Sequence, residues 1–237
     1  MPGISRLSFI RIEVVNDLRI IYYREDGSSA IYLGGRRNWR NNNPGNIGYG
    51  NGILVKRLGA IGKAGGFAVF PDYETGRKAI FGVLQQDSFQ NRTVAKAIEV
   101  WAPKEDGNDT ELYKKHIQLW TGIELTRQIK TLTNEELEKL VASIERKEGS
   151  EPGKIIEVPA SGVKKKIIDI KKNKQNLIIQ YLVEGYGWLH KADTIYLVER
   201  DIVDGVIVKN SMGHVFLRAR PDETKTNNLD KPKKPRK

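Results

Sequence analysis

The sequence predicts an α+β protein, with a mainly helical domain between an N-terminal β meander and a small C-terminal β domain. Three observations carry this. Short β-branched and aromatic segments fill the first 35 residues, apolar residues recur at helical spacing from Thr75 to Gly149, and strand-like segments return beyond Pro152-Gly153.

Taken in order, residues 7–15 (LSFIRIEVV), 18–24 (LRIIYYR) and 29–33 (SAIYL) are separated by Asn16-Asp17 and Asp26-Gly27, which is hairpin chemistry and predicts a meander over 1–35. Residues 36–51, RRNWRNNNPGNIGYGN, favour turns and left-handed conformations, so a loop is expected there. A helix capped by Thr75 follows, with Ala79, Ile80, Val83 and Leu84 as its stripe. Thr93 caps a second with Ala97, Ile98 and Trp101, and Asp109 precedes a third with Leu112, Tyr113, Ile117 and Trp120, ending at Gly122. Thr133-Asn134-Glu135-Glu136 reads as a capping box for a fourth, running through Leu137, Leu140, Val141 and Ile144 to Gly149. These elements predict a domain over 36–152. KIIEV, KKIIDI, NLIIQYLVE, DTIYLVER, VIVKN and HVFLRAR then read as strands of a β-rich domain over 153–230, and the Lys- and Pro-rich tail 231–237 reads as disordered.

The 237 residues include 40 Lys and Arg against 29 Asp and Glu, a net charge of +11, and no cysteine. The missing thiol excludes cysteine nucleophiles, thiolate metal sites and disulfide scaffolds. The basic balance points to an anionic partner: nucleic acid, lipid headgroups or an acidic polysaccharide. No apolar run is long enough to span a bilayer, and charges interrupt the apolar residues at the N-terminus. Synthesis in the cytoplasm without a signal peptide, and no membrane insertion, are expected. His116, His190 and His214 lack metal-ligand spacing, and no serine elbow or phosphate-binding loop is present.

Two constellations remain. Glu148 lies four residues after Ile144 and seven after Val141, on the apolar stripe of the fourth helix, whereas Glu145 lies about 100° away from Ile144 and should face water. A desolvated carboxyl at the negative end of a helix dipole would have a raised pKa, as a general acid requires. The alternative is a frayed last turn in which Glu148 pairs with Lys147 or Lys154. The second constellation sets Arg40, Asn41, Asn42, Asn43, Asn46 and Tyr49 before GGFAVFPDYETG at 65–76. Amides and phenols suit sugar hydroxyls, and Phe67, Phe70, Tyr73 and Trp101 offer flat faces for sugar rings. Turn chemistry with core aromatics explains the same residues equally well.

WRNNNPGNI at 39–47, GAIGKAGGFAVFPDYETGRKAI at 59–80, TVAKAIEVWAP at 93–103 and IERKEG at 144–149 together resemble a lysozyme-like module. Such modules occur in phage virion proteins and in secreted bacterial effectors, including those of type VI secretion, and are regarded as peptidoglycan hydrolases. The resemblance covers residues 34–153. NNPGNIGYG and GGFAVFPDYETG are also similar to segments of bacterial N-acetylglucosaminidases of the lysozyme superfamily, but there the catalytic Glu helix comes first. Here it would come last, which implies a circularly permuted order. The stretch 164–232 resembles a small β domain of unknown function that ends in YLRT.PD…NNL.

The resemblance implies a glycosidase or lytic transglycosylase acting on peptidoglycan glycan strands, with Glu148 as acid and Asp72 or Glu74 as any second carboxylate. Arg40, Asn42, Asn43, Asn46, Tyr49, Phe67, Tyr73 and Trp101 would line its groove. No metal or other cofactor is expected, nor nucleic acid as partner, and the chain is expected to be a monomer. Its action would lie in the periplasm or at the cell wall after delivery by a secretion system or phage. The effector version implies an immunity protein and a secretion-system carrier. The competing readings are a non-catalytic cell-wall adaptor and a basic nucleic-acid-binding protein.

Overall fold

In the computed structural model the described residues are 8–211 and 213–218, so the tail at 231–237 and the NNL ending lie outside them. The fold is α+β, with 36% of residues helical and 29% in strands. The chain divides into two compact units, one ending at Glu157 and the other beginning at Val158.

In the first unit, β1 (Phe9–Asn16), β2 (Arg19–Arg24) and β3 (Ser29–Leu33) form the expected antiparallel meander. Gly27 takes a φ of 81° at the second turn. There Asp26 accepts both the N–H and the hydroxyl of Ser28, which holds its carboxyl below the usual range. The inward face of this sheet is aromatic. Phe9, Tyr22, Tyr32 and Trp39 pack in series as tilted pairs, with centroids 4.9, 4.7 and 5.0 Å apart.

Trp39 belongs to α1 (Arg37–Arg40), a single turn within the Asn-rich loop. Then come α2 (Ile53–Arg57) and a hairpin of β4 (Gly62–Ala64) and β5 (Phe67–Val69). Ala64 and Val69 share the core of the meander, so these N-terminal strands are part of the helical unit. The helices are α3 (Tyr73–Leu84), α4 (Asp87–Gln90), α5 (Val94–Trp101), α6 (Thr110–Thr121) and α7 (Asn134–Glu148). Phe70, Ile80, Leu84, Ile98, Ile117, Leu140 and Ile144 are fully buried among them. Thr93, Asp109 and the Thr133–Glu136 box cap as expected. The cap of α3 does not follow expectation: Asp72 accepts the N–H of Thr75 at 2.7 Å, so the helix begins three residues earlier and Thr75 lies in its first turn.

After α7 the chain returns to the meander. β6 (Lys154–Val158) completes a sheet of order β1-β2-β3-β6, so KIIE of the expected C-terminal strand KIIEV belongs to the first unit, and the second begins at its last residue, Val158. The return crosses the segment after β3 so closely that a Cβ on Gly153 would lie 2.1 Å from the carbonyl oxygen of Leu33.

In the second unit, β7 (Lys165–Lys172), β8 (Ile178–Val183) and β9 (Gly187–His190) form an antiparallel run. Next comes α8 (Lys191–Glu199), so DTIYLVER is helical and not a strand. Thr194, Tyr196 and Leu197 are its buried residues, and burial of this kind overrides the β preference of Thr, Ile, Tyr and Val. β10 (Val203–Asp204) pairs in parallel with β7, giving the order β10-β7-β8-β9, and β11 (Val206–Lys209) pairs with β12 (Val215–Arg218).

A carboxylate at the end of α7 and its groove

The Asn-rich loop is a scaffold before it is a surface. Asn43 is 0% exposed, and its amide donates to the carbonyls of Ile47 and Ala68 while its side-chain oxygen accepts the Ile47 N–H. Asn42 donates to the carbonyls of Phe70 and Pro71, and Asn41 to those of Ala64 and Ala68. Arg40 is 6% exposed, with its guanidinium on the carbonyls of Gly34, Gly35 and Asp17. These side chains are thus spent on backbone carbonyls of the loop and its neighbours. Arg40, Asn42 and Asn43, expected in the groove, are therefore turned into the protein and cannot meet a ligand. The loop also presses on α3: a Cβ on Gly76 would lie 1.8 Å from the Asn42 carbonyl oxygen. This contact joins the NNNPGNI and PDYETG segments physically.

Asn46 is the asparagine left for the site. It takes a φ of 48°, in the left-handed region that Asn tolerates, and its amide donates to Glu148 Oε2 at 2.8 Å. Arg37 Nε donates to Asn46 Oδ1 at 3.4 Å, which settles which way the amide points. The Arg37 guanidinium is laid 3.5 Å from the centroid of the Phe67 ring. Burial pushes the Arg37 pKa down, and the nearby Glu148 charge opposes that. From the other side, the hydroxyl of Tyr113, on α6, donates to Glu148 Oε1 at 3.1 Å. Burial, then the Glu148 charge and this hydrogen bond, raise the Tyr113 phenol far above its ordinary value, so it stays protonated.

Backbone contacts hold the helix end. Asn38 donates to the Gly149 carbonyl, Arg36 to that of Glu148, and the Arg36 N–H bonds the Glu151 carbonyl at 2.8 Å. Gly149 has a φ of 62° with a ψ of 163°, a conformation essentially restricted to glycine. Glu148 is thus half-buried and held by Asn46 and Tyr113, not by Lys147 or Lys154.

Next to it lies a groove of about 460 Å³, whose lining includes Asn46, Tyr49, Asn51, Phe89 and Trp101. Asn46 is thus shared by the groove and the carboxylate. Phe67 lies under Arg37 and does not line the groove. Tyr73 donates to Glu145 Oε1 at 2.6 Å, and burial with that contact pushes its pKa up to about 12. Glu145 does not face water as expected: its side chain is 14% exposed and pairs with Arg77 at 2.9 Å, because α3 packs over that side of α7. Asp72 is committed to its cap, and Glu74 is exposed in the first turn of α3. Asn46 thus links Glu148 to the groove that Tyr49 and Trp101 line; Glu148 itself is not among the lining residues, and the other expected residues lie elsewhere.

Sequence reasoning missed Arg37 and Tyr113 as site residues. In the sequence Tyr113 is one member of its helix stripe, and that apolar position is the signal for it.

A family model described as a protein of unknown function (DUF3892) matches residues 166–231. The match begins in β7 and covers much of the second unit, with its last residues outside the described ones. No curated protein matches the chain.

Proposed function

We propose that the first unit is a lysozyme-like glycosidase of peptidoglycan glycan strands, with Glu148 as general acid. The observation that carries this reading is the junction at Asn46, which bonds a half-buried carboxylate and also lines a groove where Tyr49, Phe89, Trp101 and the Asn46 and Asn51 amides are set among aliphatic Ile47, Leu54, Val55, Val83 and Val100. Such a groove suits a neutral, hydroxyl-rich chain, with Tyr49 and Trp101 to stack on sugars and Asn46 and Asn51 to bond their substituents.

The two partners of Glu148 suit proton transfer. The Asn46 amide, fixed by Arg37, only donates to Oε2. The Tyr113 hydroxyl can donate to Oε1 or, after turning about its C–O bond, accept from it. Oε1 is therefore the oxygen that can carry a proton without losing its partner. That proton passes to the glycosidic oxygen as the C–O bond breaks and positive charge develops on the sugar. With Asp72 and Glu145 committed elsewhere, a single carboxylate acts, and the acetamido oxygen of the substrate stabilises the sugar cation. Glu148, now a carboxylate, takes back a proton from the water that completes a hydrolysis or from the sugar's own hydroxyl as it closes an anhydro end.

Mass spectrometry of fragments released from purified sacculi tests this. Wild type should release glycan fragments, and Glu148→Gln should be slower by roughly a hundredfold or more. Equal release would remove Glu148 from the chemistry. Binding to sacculi without release by either protein would make this a wall-binding adaptor.

A further inference from the structure

The last turn of α7 carries two cations outside the ion pairs of that helix. Lys139 pairs with Glu135, while Glu136 and Glu138 take Arg127 and Arg77. Arg146 and Lys147 have no acidic partner among the described residues and lean on α6 instead. The Arg146 guanidinium stands 4.1 Å from the centroid of Trp120, whose ring stacks on His116 at 4.8 Å and 12°. Lys147 Nζ is 3.3 Å from His116 Nδ1 and 5.6 Å from the centroid of Tyr113.

Cations at a helix C-terminus complement its dipole, but that requires only charge near the last carbonyls. It does not account for a guanidinium laid on an indole and an ammonium set against an imidazole. A guanidinium on a ring face keeps its N–H donors in its own plane, free at the edge, in the fork that matches a carboxylate or phosphate. Packing on the ring also removes rotamer freedom that an exposed arginine would lose on binding. Lys147 Nζ stands within hydrogen-bond distance of one His116 ring nitrogen, and its remaining N–H donors are left for a ligand.

We infer that Arg146 and Lys147, supported by Trp120 and His116, form an anion subsite for carboxylates on the peptide substituents of the proposed glycan substrate. The location follows from Tyr113, whose hydroxyl reaches Glu148 while its ring lies near Lys147. Lys147 and Glu148 thus flank one tyrosine, which sets the cations beside the proposed acid. The inference rests on the peptidoglycan reading for the identity of the ligand, while its geometry is independent of catalysis.

Calorimetric titration separates the two. The probe is a set of soluble glycan-peptide fragments with free carboxylates, and the same fragments after amidation of those groups, added to full-length Glu148→Gln. The free acids should bind about tenfold more tightly than the amides, the factor that one favourable charge-assisted fork supplies. Adding Arg146→Gln and Lys147→Gln should bring that ratio close to one, while the protein stays folded and its thermal unfolding midpoint falls only by the lost dipole and ring contacts. If the double variant does not fold, Arg146→Lys, which keeps the charge but loses the fork, should still lower the ratio severalfold. A ratio near one in the parent, or one that the substitutions leave intact, overturns the inference, as does full displacement by millimolar inorganic phosphate, which would make this a phosphate site. Cleavage by wild type without the preference leaves the glycosidase standing alone. The preference without cleavage leaves the subsite and removes the glycosidase.

Discussion

At the scale of residues, Tyr113 separates packing from chemistry. Its ring is buried at 3% exposure and its hydroxyl touches Glu148, so Tyr113→Phe keeps the packing and removes only the oxygen. On the proposed mechanism, kcat on sacculus fragments should fall about tenfold, equivalent to about 1.4 kcal/mol in the transition state, with KM little changed. A purely structural tyrosine would lower the unfolding midpoint and leave kcat per folded molecule untouched. Steady-state kinetics alongside thermal melts would tell the two apart.

At the scale of elements, α7 sets the position of Glu148, and its other end is set by a capping box. Glu136 accepts from Arg127 and from the Thr133 N–H, and these contacts, with the Arg127 pair foremost, hold its carboxyl at about 2. A carboxyl lowered on folding stabilises the fold above its unfolded value near 4.5, and that stability fades as pH falls towards 2. Glu136→Gln should therefore lower the unfolding midpoint at pH 7, with the two curves converging near pH 2, as calorimetric scans across that range would show. The box was legible because capping is local, three residues bonding to each other. The cap of α3 was legible only as a region, since Asp72 and Thr75 are both competent caps and the structure uses Asp72. Asn42 and Asn46 were indistinguishable as letters. One faces inward to the Phe70 carbonyl and the other outward to Glu148, a choice made by contacts 28 and 102 residues distant.

At the scale of the whole molecule, the C-terminal limit of the first unit is a strand and not the Pro-Gly that precedes it. All five residues of β3 are buried, and Ile156 of β6 is 1% exposed against that sheet. A chain ending after Ala160 should fold cooperatively. One ending after Pro152 should lose roughly 4 kcal/mol of urea-measured stability, from the burial of Ile156 together with unpaired β3 backbone. Equal stability of the two truncations would show that β6 is dispensable.

The partners of Glu148 lie at 46 and 113, and the strand that anchors the return from its helix ends at Val158. During synthesis, then, no nascent chain shorter than this holds a complete site: the loop and groove residues emerge first and the carboxylate last. For an enzyme of the proposed kind, a product stalled or cleaved partway along the message would be inert towards the cell that makes it.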